Sequence, residues 1–522
     1  MTIKLGLVGT GTVGGGCLDI LRNHREDFKR HLGVDMEVVR VCSRNPEQAE
    51  ARGVLHLFTE DFNDIINDPE IDIVIELIGG TTAARDVVLG ALRAGKNVVT
   101  ANKALMATFG DEVMDLAREK NLEVGFEASV GGGIPIIQPL KHSLISNEIT
   151  SVMGIVNGTT NYMLTRMVDD GLSYEDALAE AQAKGFAEAD PTADVDGFDA
   201  AAKIAILASI AFNSRVKLND VYTEGIRNIT QLDMDTADDM GYVIKLLALA
   251  HRTPEGIDVR VHPTMLPKAH QMAQVNGVFN AIYVTGDAVG ETMFFGEGAG
   301  AGPAAAAVMG DVLEVARHMT LGIPPVVGCT CTDNLPIVPM EKLSTKYYIR
   351  FSVADRSGVL AAMAGVFAKH GVSVRSVVQR GSAQHETVNL SYVTHTASEA
   401  SVRRVLEEIG GLEDVLRAEP SVIRVEDERG PGRSSAVGSV CNRRLPAPRF
   451  AFRLRGRGPK VATRVARDGL GRRKRPCRPS ARESTVGVIE EILLLYREAG
   501  LTGQRDRFPA PFLYERGFHG AV

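Results

Sequence analysis

A glycine-rich hexapeptide near the amino terminus constrains the fold most strongly. Residues 9–14 read Gly-Thr-Gly-Thr-Val-Gly; they follow an apolar segment with the pattern of a buried parallel strand and precede a helical pattern. Gly-x-Gly-x-x-Gly in this position is typical of a dinucleotide-binding turn. Its glycines permit a tight turn, close approach of the backbone to a pyrophosphate and close packing of the helix. A plain glycine turn without a ligand is the alternative.

Predicted strands and helices alternate through the rest of the amino-terminal region. Strands are expected over 37–41, 71–77, 97–100 and 122–126, and helices over 83–94 and 110–120. This alternation predicts an α/β domain with a Rossmann-type doubly wound parallel sheet, which binds ligands at the carboxyl ends of its strands. We assign residues 1–137 to this NAD(P)-binding domain and expect a helix over 304–321 to complete it at about 304–325.

The remaining chain divides into three regions. Residues 138–330 mix helices and strands and predict an α+β substrate-binding catalytic domain. Residues 347–427 follow the βαββαβ order of a ferredoxin-like domain. Residues 428–522 form a basic, low-complexity tail that is predicted to be disordered apart from a helical pattern over 486–497, because it cannot bury enough apolar surface to offset its ordering entropy. In the catalytic domain, helices are expected over 173–183, 199–212 and 242–250, and strands over 259–261 and 281–285.

Composition and charge narrow the function classes. The chain has 522 residues, 44% of them hydrophobic, and a formal net charge of -7, although the tail is strongly basic. The chain before the tail is therefore not expected to bind nucleic acid. The tail itself fits three descriptions: a disordered extension, an electrostatic RNA- or DNA-binding segment, or out-of-frame translation past the true end of the gene.

The sequence also predicts where the protein is found. It shows no export signal and no uninterrupted apolar run of the roughly eighteen residues that a membrane span needs. Its six cysteines lack Cys-x-x-Cys spacing, which fits a reducing compartment and argues against a zinc ribbon. We therefore expect a soluble cytoplasmic protein without a membrane partner.

Residues 185–203 contain the strongest candidates for catalysis. They read Gly-Phe-Ala-Glu-Ala-Asp-Pro-Thr-Ala-Asp-Val-Asp-Gly-Phe-Asp-Ala-Ala-Ala-Lys, and the helix that continues from them is almost wholly apolar. Asp199 and Lys203 are four residues apart, so their side chains lie on one helix face and can be directed together at a third group. A surface ion pair is the ordinary interpretation of this spacing, but it does not explain a lysine in a buried helix.

Three further candidates follow predicted strands. Lys103 would lie at the carboxyl edge of the sheet, unless it is an ordinary surface lysine. The second strand ends without an Asp or Glu that could accept a hydrogen bond from a ribose 2′-hydroxyl, whereas Arg44 could pair with a 2′-phosphate. This pattern favours NADP over NAD. The alternative is that Arg44 is solvated and that both cofactors are accepted. The glycines at 131–133 indicate a hinge or a backbone close to a ligand, and Glu127 beside exposed carbonyls would suit a hard cation.

In their order along residues 2 to about 427, these segments and Val-Asn-Gly-Thr-Thr-Asn-Tyr at 156–162 resemble homoserine dehydrogenase. Residues 353–360 are similar to the ligand loop of an ACT domain, as in the monofunctional form of the family with a carboxyl-terminal ACT domain. The resemblance implies reduction of aspartate 4-semialdehyde to L-homoserine with NADP, or with NAD as the alternative, on the route to threonine and methionine. It also implies a homodimer or homotetramer and inhibition by threonine at residues 355–358; a purely architectural ACT domain is the alternative.

The resemblance implies roles for individual residues as well. Lys203 is similar to the family's proton donor, supported by Asp199, while Glu188, Asp199 and Lys103 are similar to residues that hold the substrate. The chain departs from the family at 302–304, Gly-Pro-Ala, where a threonine often follows the proline. Positions that match cofactor contacts are Gly9, Gly11, Thr12, Val13, Gly14, Arg44, Lys103, Gly185 and Gly300. Positions that match a sodium site are Glu127, Val130, Gly132 and Ile134, the last three through backbone oxygens.

Two other functions fit parts of this pattern. One is a different amino-acid dehydrogenase on the same scaffold, such as one that acts on a diamino acid. The other is an amino-acid-sensing regulator in which an inactive dehydrogenase core supports the ACT unit. The presence of Glu188, Asp199 and Lys203 together argues against an inactive core.

Overall fold

Two β-sheets organise the chain in the computed structural model, which describes residues 2–33, 35–325, 328–380 and 387–426. The expectations for the tail, its disorder and its helix over 486–497, lie outside these residues. Of the two sheets, one has six strands and belongs to the amino-terminal region. The other has eleven strands and runs through the rest of the described chain.

The amino-terminal sheet confirms the predicted Rossmann-type fold. All its strand pairs are parallel, in the order β3-β2-β1-β4-β5-β6, and helices cover it. The order reverses between β1 and β4, where a doubly wound sheet opens its ligand crevice. The strands are β1 Thr2–Val8, β2 Asp35–Cys42, β3 Phe58–Thr59, β4 Ile73–Glu76, β5 Asn97–Thr100 and β6 Val124–Gly125. The helices are α1 Thr12–Leu32, α2 Pro46–Ala51, α3 Asn63–Ile66, α4 Ala83–Arg93 and α5 Lys103–Lys120.

The central region supplies most of the second sheet. Its strands are β7 Ile149–Ile155, β8 Tyr222–Thr223, β9 Tyr242–Thr253, β10 Gly256–Pro267, β11 Phe279–Gly286 and β12 Gly290–Glu297. Its helices are α6 Gly158–Asp170, α7 Tyr174–Ala183, α8 Thr192–Val195, α9 Phe198–Ala211, α10 Gln231–Asp239 and α11 Ala301–Leu321.

One expectation for this region is wrong, because residues 242–250 form strand β9 and not a helix. Leucine and alanine favour helices, but β9 is buried between β7 and β10 in the sheet, and packing overrides the intrinsic preference.

Helix α11 returns to the amino-terminal domain, as expected. A side chain at Gly16 of α1 would place its Cβ 2.7 Å from the carbonyl oxygen of Ala301 and 2.8 Å from the Cβ of Ala305, so the two helices are in close contact. Buried side chains of α11, among them Val308 and Val312, share a hydrophobic core with β1. The exact domain boundaries stay predictions.

The last described region has the predicted ferredoxin-like order. It consists of β13 Ser344–Ala354, α12 Val359–Lys369, β14 Val374–Arg380, β15 Thr387–Thr394, the short β16 Ala397–Ser398, α13 Glu399–Gly410 and β17 Ser421–Val425. Strand β17 pairs with β13 and also, in parallel, with β10 at Arg424 and Val425. The sheets of the central and carboxyl-terminal regions are therefore continuous.

Candidate active site

Helix α9 holds Asp199 and Lys203 in the interior. It begins after Gly197, whose φ of 85° lets the chain turn into the helix, and nearly all its side chains are buried. Lys203 Nζ donates to Asp199 Oδ2 at 2.7 Å and to the carbonyl oxygen of Val156 at 2.6 Å. The pair that the spacing predicts is therefore present, and it is only 7–8% exposed.

A second lysine reaches the same carboxylate from the other domain. Lys103 is the first residue of α5, directly after β5, and the side chain of Asn102 caps this helix by accepting from the amide of Leu105 at 3.0 Å. Lys103 Nζ lies 2.5 Å from Asp199 Oδ1. This contact is an ion pair, since Oδ1 has no well-aligned hydrogen-bond donor among the described residues. Asp199 thus joins two ammonium groups where the strands of the Rossmann sheet end.

The charges in this cluster stabilise one another. Burial opposes ionisation of Asp199, but Lys203 and Lys103 outweigh it and hold the pKa of this carboxyl well below its usual range. Burial likewise works against the charged form of Lys103, yet the carboxylates of Asp199, Asp194 and Glu188 raise its pKa above the ordinary value. Near neutral pH the cluster therefore contains an ionised Asp199 and a charged Lys103.

Asn157 positions two of these carboxylates, a role that sequence reasoning missed. Its Oδ1 caps α6 by accepting from the amide of Thr160 at 2.8 Å, and its Nδ2 donates to Asp199 Oδ2 at 2.9 Å and to Asp194 Oδ1 at 2.6 Å. An asparagine before Gly-Thr-Thr is a visible cap signal, but nothing in the sequence shows where its amide points. Glu188 lies nearby with an exposed side chain.

The glycine turn has the geometry that a pyrophosphate needs. A Cβ at Gly9, whose φ is 109°, would lie 2.8 Å from the carbonyl of Leu77, and a Cβ at Gly14 would lie 2.0 Å from the oxygen of Gly9. These two glycines are required by packing. Gly11 instead faces open space at the start of α1, where Thr12 and Val13 form the first turn and the helix dipole favours an anion.

The other predicted cofactor positions lie in exposed turns. Arg44 is exposed after β2 and has no ion-pair partner in the described part of the chain, so its guanidinium is available to a phosphate. Gly185 turns the chain after α7 with a φ of 74°, and Gly300 precedes α11 with a φ of 124°. A Cβ at Gly132 would lie 2.5 Å from the carbonyl of Gly298, so the loop of the predicted sodium site packs against the loop that leads to Gly300.

The Glu127 carboxylate is already occupied by backbone donors. It accepts from the amides of Ile136, Ile137 and Gln138 at 2.6, 2.8 and 2.7 Å, and burial still raises its pKa. Among the residues that the structure describes, no group of three or more His, Cys, Asp or Glu side chains is placed to hold a metal. A cation in this loop would therefore depend mainly on backbone oxygens.

Sequence reasoning also missed a buried network that fixes the start of α5. Glu76, fully buried at the end of β4, accepts from Thr100 Oγ1 at 2.6 Å and from the amides of Ile78 and Gly79 at 2.9 and 3.3 Å. Thr100 Oγ1 in turn accepts from the amide of Asn102 at 3.0 Å. The network connects the loop after β4 to Asn102, the residue before Lys103. The feature of the sequence that could have indicated it is a glutamate at the end of an apolar strand.

Comparison with known proteins places this geometry in a family. Residues 9–127 match the family model described as "Homoserine dehydrogenase, NAD binding domain", residues 135–313 match "Homoserine dehydrogenase" and residues 347–414 match "ACT domain". The homoserine dehydrogenase of Synechocystis sp. is 45% identical over 435 residues, which are 81% of this chain and 100% of that protein. The chain belongs to the homoserine dehydrogenase family. This is a family of NAD(P)-dependent oxidoreductases, and the homoserine dehydrogenase of Corynebacterium glutamicum is 44% identical over 429 residues, 81% of this chain and 96% of the relative.

Solved structures of homoserine dehydrogenases agree with this assignment. A homoserine dehydrogenase from Thiobacillus denitrificans has a TM-score of 0.78 and 43% identity and covers 82% of this chain and 99% of its own. A hyperthermophilic archaeal homoserine dehydrogenase in complex with NADPH has a TM-score of 0.54 and 26% identity and covers 62% of this chain and 100% of its own. None of the described helices combines the length and apolar character of a membrane span.

Proposed function

We propose that this protein is a homoserine dehydrogenase that reduces aspartate 4-semialdehyde to L-homoserine with NADPH. The arrangement of Lys103, Asp199 and Lys203 at the edge where the Rossmann strands end carries the proposal. Membership of the family and the relative whose structure contains NADPH support it.

Lys203 is suited to deliver the proton that this reaction requires. NADPH, when bound, supplies a hydride to the aldehyde carbon, and the carbonyl oxygen then needs a proton from a positioned acid. The ammonium group of Lys203 has three N–H donors. Two of them bond to Asp199 and to the carbonyl of Val156. The third is available to the substrate oxygen, so its N–H bond breaks as the alkoxide becomes the hydroxyl of homoserine.

The surrounding charges provide for the substrate's amino-acid end. Glu188, with Asp194 nearby, supplies negative charge for the α-ammonium group. Lys103 supplies positive charge for a carboxylate while it keeps Asp199 ionised. This division of charge accounts for the presence of three carboxylates beside the two lysines in one cluster.

The cofactor proposal favours NADP, with NAD accepted less well. Gly11 leaves space for the pyrophosphate. Arg44, which has no ion-pair partner among the described residues, follows the second strand, where a 2′-phosphate would lie. We also propose a sodium ion held by the backbone oxygens of Val130, Gly132 and Ile134 beside Glu127; it would fix the loop that packs against Gly298.

Regulation and assembly complete the proposal. The match to the ACT domain supports an amino-acid effector, and we propose threonine at the exposed loop 355–358. We further propose a homodimer or homotetramer. The location in the cytoplasm stays a prediction.

One assay tests the proposed activity. Homoserine-dependent reduction of NADP and of NAD is followed at 340 nm with the purified full chain, with and without threonine. We expect turnover with homoserine, a lower KM for NADP than for NAD, and lower rates when threonine is present. Turnover with a diamino acid in place of homoserine would contradict the proposed substrate, and unchanged rates with threonine would contradict the proposed effector.

A further inference from the structure

A cavity of about 80 Å³ lies between the two helices that carry Lys103 and Lys203. Helix α5 begins at Lys103, and α9 contains Lys203. Met106 of α5 and Ile206 of α9 both line the cavity, and each lies three residues, about one helical turn, after the lysine of its own helix. We call this space the α5–α9 cavity. A molecule that fills it touches both helices one turn from the proposed active site.

The walls of the α5–α9 cavity are mainly apolar. Six apolar side chains line it, each only 5–9% exposed: Met106, Met114, Phe126, Ile206, Ile210 and Val216. An apolar cavity of about 150 Å³ can hold a benzene molecule, so this one admits an aliphatic chain of about three or four carbon atoms. The walls therefore favour a short alkyl group.

One buried cation faces this space. Lys141 lines both the α5–α9 cavity and a second cavity of about 340 Å³, although the residue is only 8% exposed. Among the described residues, its Nζ has no hydrogen-bond acceptor and no carboxylate within 4.0 Å; the centroid of the Phe126 ring lies 5.4 Å away. Nζ keeps some accessible surface, so it is open to the cavities and not sealed in the interior. Burial lowers the pKa of Lys141.

The acidic groups around Lys141 do not serve as its counterion. The carboxyl groups that line the second cavity have other partners within the described residues, namely the amide of Glu127 for Asp311, the imidazole of His318 for Glu123 and the guanidinium of Arg317 for Glu314. A buried charge is costly unless it is paired and hydrogen-bonded. The three N–H donors of Lys141 therefore face space in which an anion would be stabilised.

We propose that the α5–α9 cavity is a binding site for a short aliphatic monocarboxylate. The carboxylate accepts hydrogen bonds from the ammonium group of Lys141, and the alkyl chain lies among the apolar side chains of α5 and α9. An amino acid fits less well, because its α-ammonium group would lie close to that of Lys141. Inorganic phosphate matches the charge but not the apolar walls. The site lies outside the proposed active site and does not depend on the proposed reaction.

A ligand in this cavity is coupled to the active site through the two helices. Lys103 of α5 and Asp199 of α9 form an ion pair, with Nζ 2.5 Å from Oδ1. A ligand that binds two separations of α5 and α9 with different affinity shifts the protein towards one of them, and this ion pair shifts with it.

The first test is calorimetry on the full-length protein with acetate, propionate and butyrate as probes. Each methylene group that enters an apolar site strengthens binding by about fourfold, so we expect the affinity to increase in this order. Butyramide has the shape of butyrate without its charge and should bind at least about tenfold more weakly. The proposal is overturned if none of the three carboxylates shows saturable binding, or if butyramide or inorganic phosphate binds as well as butyrate.

Lys141→Met locates the site. Methionine keeps the length of the side chain without its charge, and Lys141 has no hydrogen bond to lose, so the variant should be at least as stable as the wild type and should not bind butyrate. Lys96→Met is the matched control, because Lys96 is 5% exposed and donates to the carbonyls of Asp68 and Ile71. The control should be less stable and should bind butyrate normally. Butyrate binding that persists in Lys141→Met would overturn the site.

Ile210→Phe tests the apolar part of the cavity while Lys141 remains. The larger side chain occupies the space of the alkyl group, so the affinity for butyrate should fall to that for acetate; an unchanged difference between the two acids would place the alkyl chain elsewhere and overturn the proposal. Saturating butyrate should also change kcat for homoserine in the wild type and leave it unchanged in Lys141→Met. The same response in both proteins would refute the coupling.

Discussion

Replacement of Lys203 by alanine tests the proposed acid most directly. The variant removes the only proposed proton donor while Asp199 keeps its ion pair with Lys103 and its hydrogen bond from Asn157. Loss of a general acid typically lowers the rate by about 10²–10⁴. We expect kcat to fall by this factor and KM for homoserine to change little, because the residues proposed to hold the substrate remain.

The same change should also reduce stability by a limited amount. The variant loses the charged hydrogen bond to Asp199, worth about 1.5–3 kcal/mol, and the hydrogen bond to the carbonyl of Val156. An unpaired buried charge would be worse, at about 3–5 kcal/mol, but Asp199 still faces Lys103. We expect the free energy of unfolding to fall by about 2–4 kcal/mol, which urea denaturation measures.

A second buried lysine provides the matched control. Lys245, in the same domain, donates to Asn161 Oδ1, to the carbonyl of Val275 and to Asn276 Oδ1 at 2.6–3.1 Å, so all three of its N–H groups bond within the protein. Lys245→Ala should lose a similar amount of stability and keep kcat within about threefold of wild type in steady-state assays at 25 °C. A folded Lys203→Ala variant whose kcat is within about fivefold of wild type would refute the role of Lys203.

Three further predictions concern the cofactor turn, cofactor choice and pH. Gly11→Ala should leave the melting temperature unchanged, because its Cβ meets no atom within 4 Å, yet raise KM for NADP at least tenfold; an unchanged KM would mean that no pyrophosphate lies there. Arg44→Ala should raise KM for NADP and leave that for NAD unchanged, and equal effects on both would exclude a 2′-phosphate contact. Burial raises the pKa of Asp311 to about 7, so the unfolded chain releases this proton first as pH rises and stability falls between about pH 4 and 7. Urea unfolding of Asp311→Asn should show a smaller fall over this range, and an identical fall would contradict the shift.

Periodicity and turn residues made much of the fold predictable. The alternation of apolar strands and helices before residue 126 is typical of a doubly wound parallel sheet, and the structure contains one. The order βαββαβ after residue 347 was also predictable from the sequence. Strand β9 was not predictable, because its apolar run of leucine and alanine fits a buried helix as well as a buried strand and shows no periodicity that distinguishes them. Only its neighbours β7 and β10 decide between them.

The site was predictable where spacing along one element determines geometry. Asp199 and Lys203 share a helix, so their separation of four residues was sufficient to pair them. Lys103 and Asp199 are ninety-six residues apart along the chain. Their contact depends on how the two domains pack against each other, which spacing along one element does not reveal. Asn157 and Glu76 were missed because their hydrogen bonds join residues that are distant in the sequence and depend on where each side chain points.

Burial alone does not distinguish a working lysine from a structural one. Lys96 and Lys245 are at least as buried as Lys203. Lys96 bonds to the carbonyls of Asp68 and Ile71 before the strands of the Rossmann sheet begin, at the edge opposite to the ligand crevice. Lys245 has an oxygen acceptor for each of its three donors. Lys203 differs in having a carboxylate partner and one donor still unused among the described residues, at the edge where the strands end. That combination, which depends on three-dimensional placement, is what makes it a candidate acid.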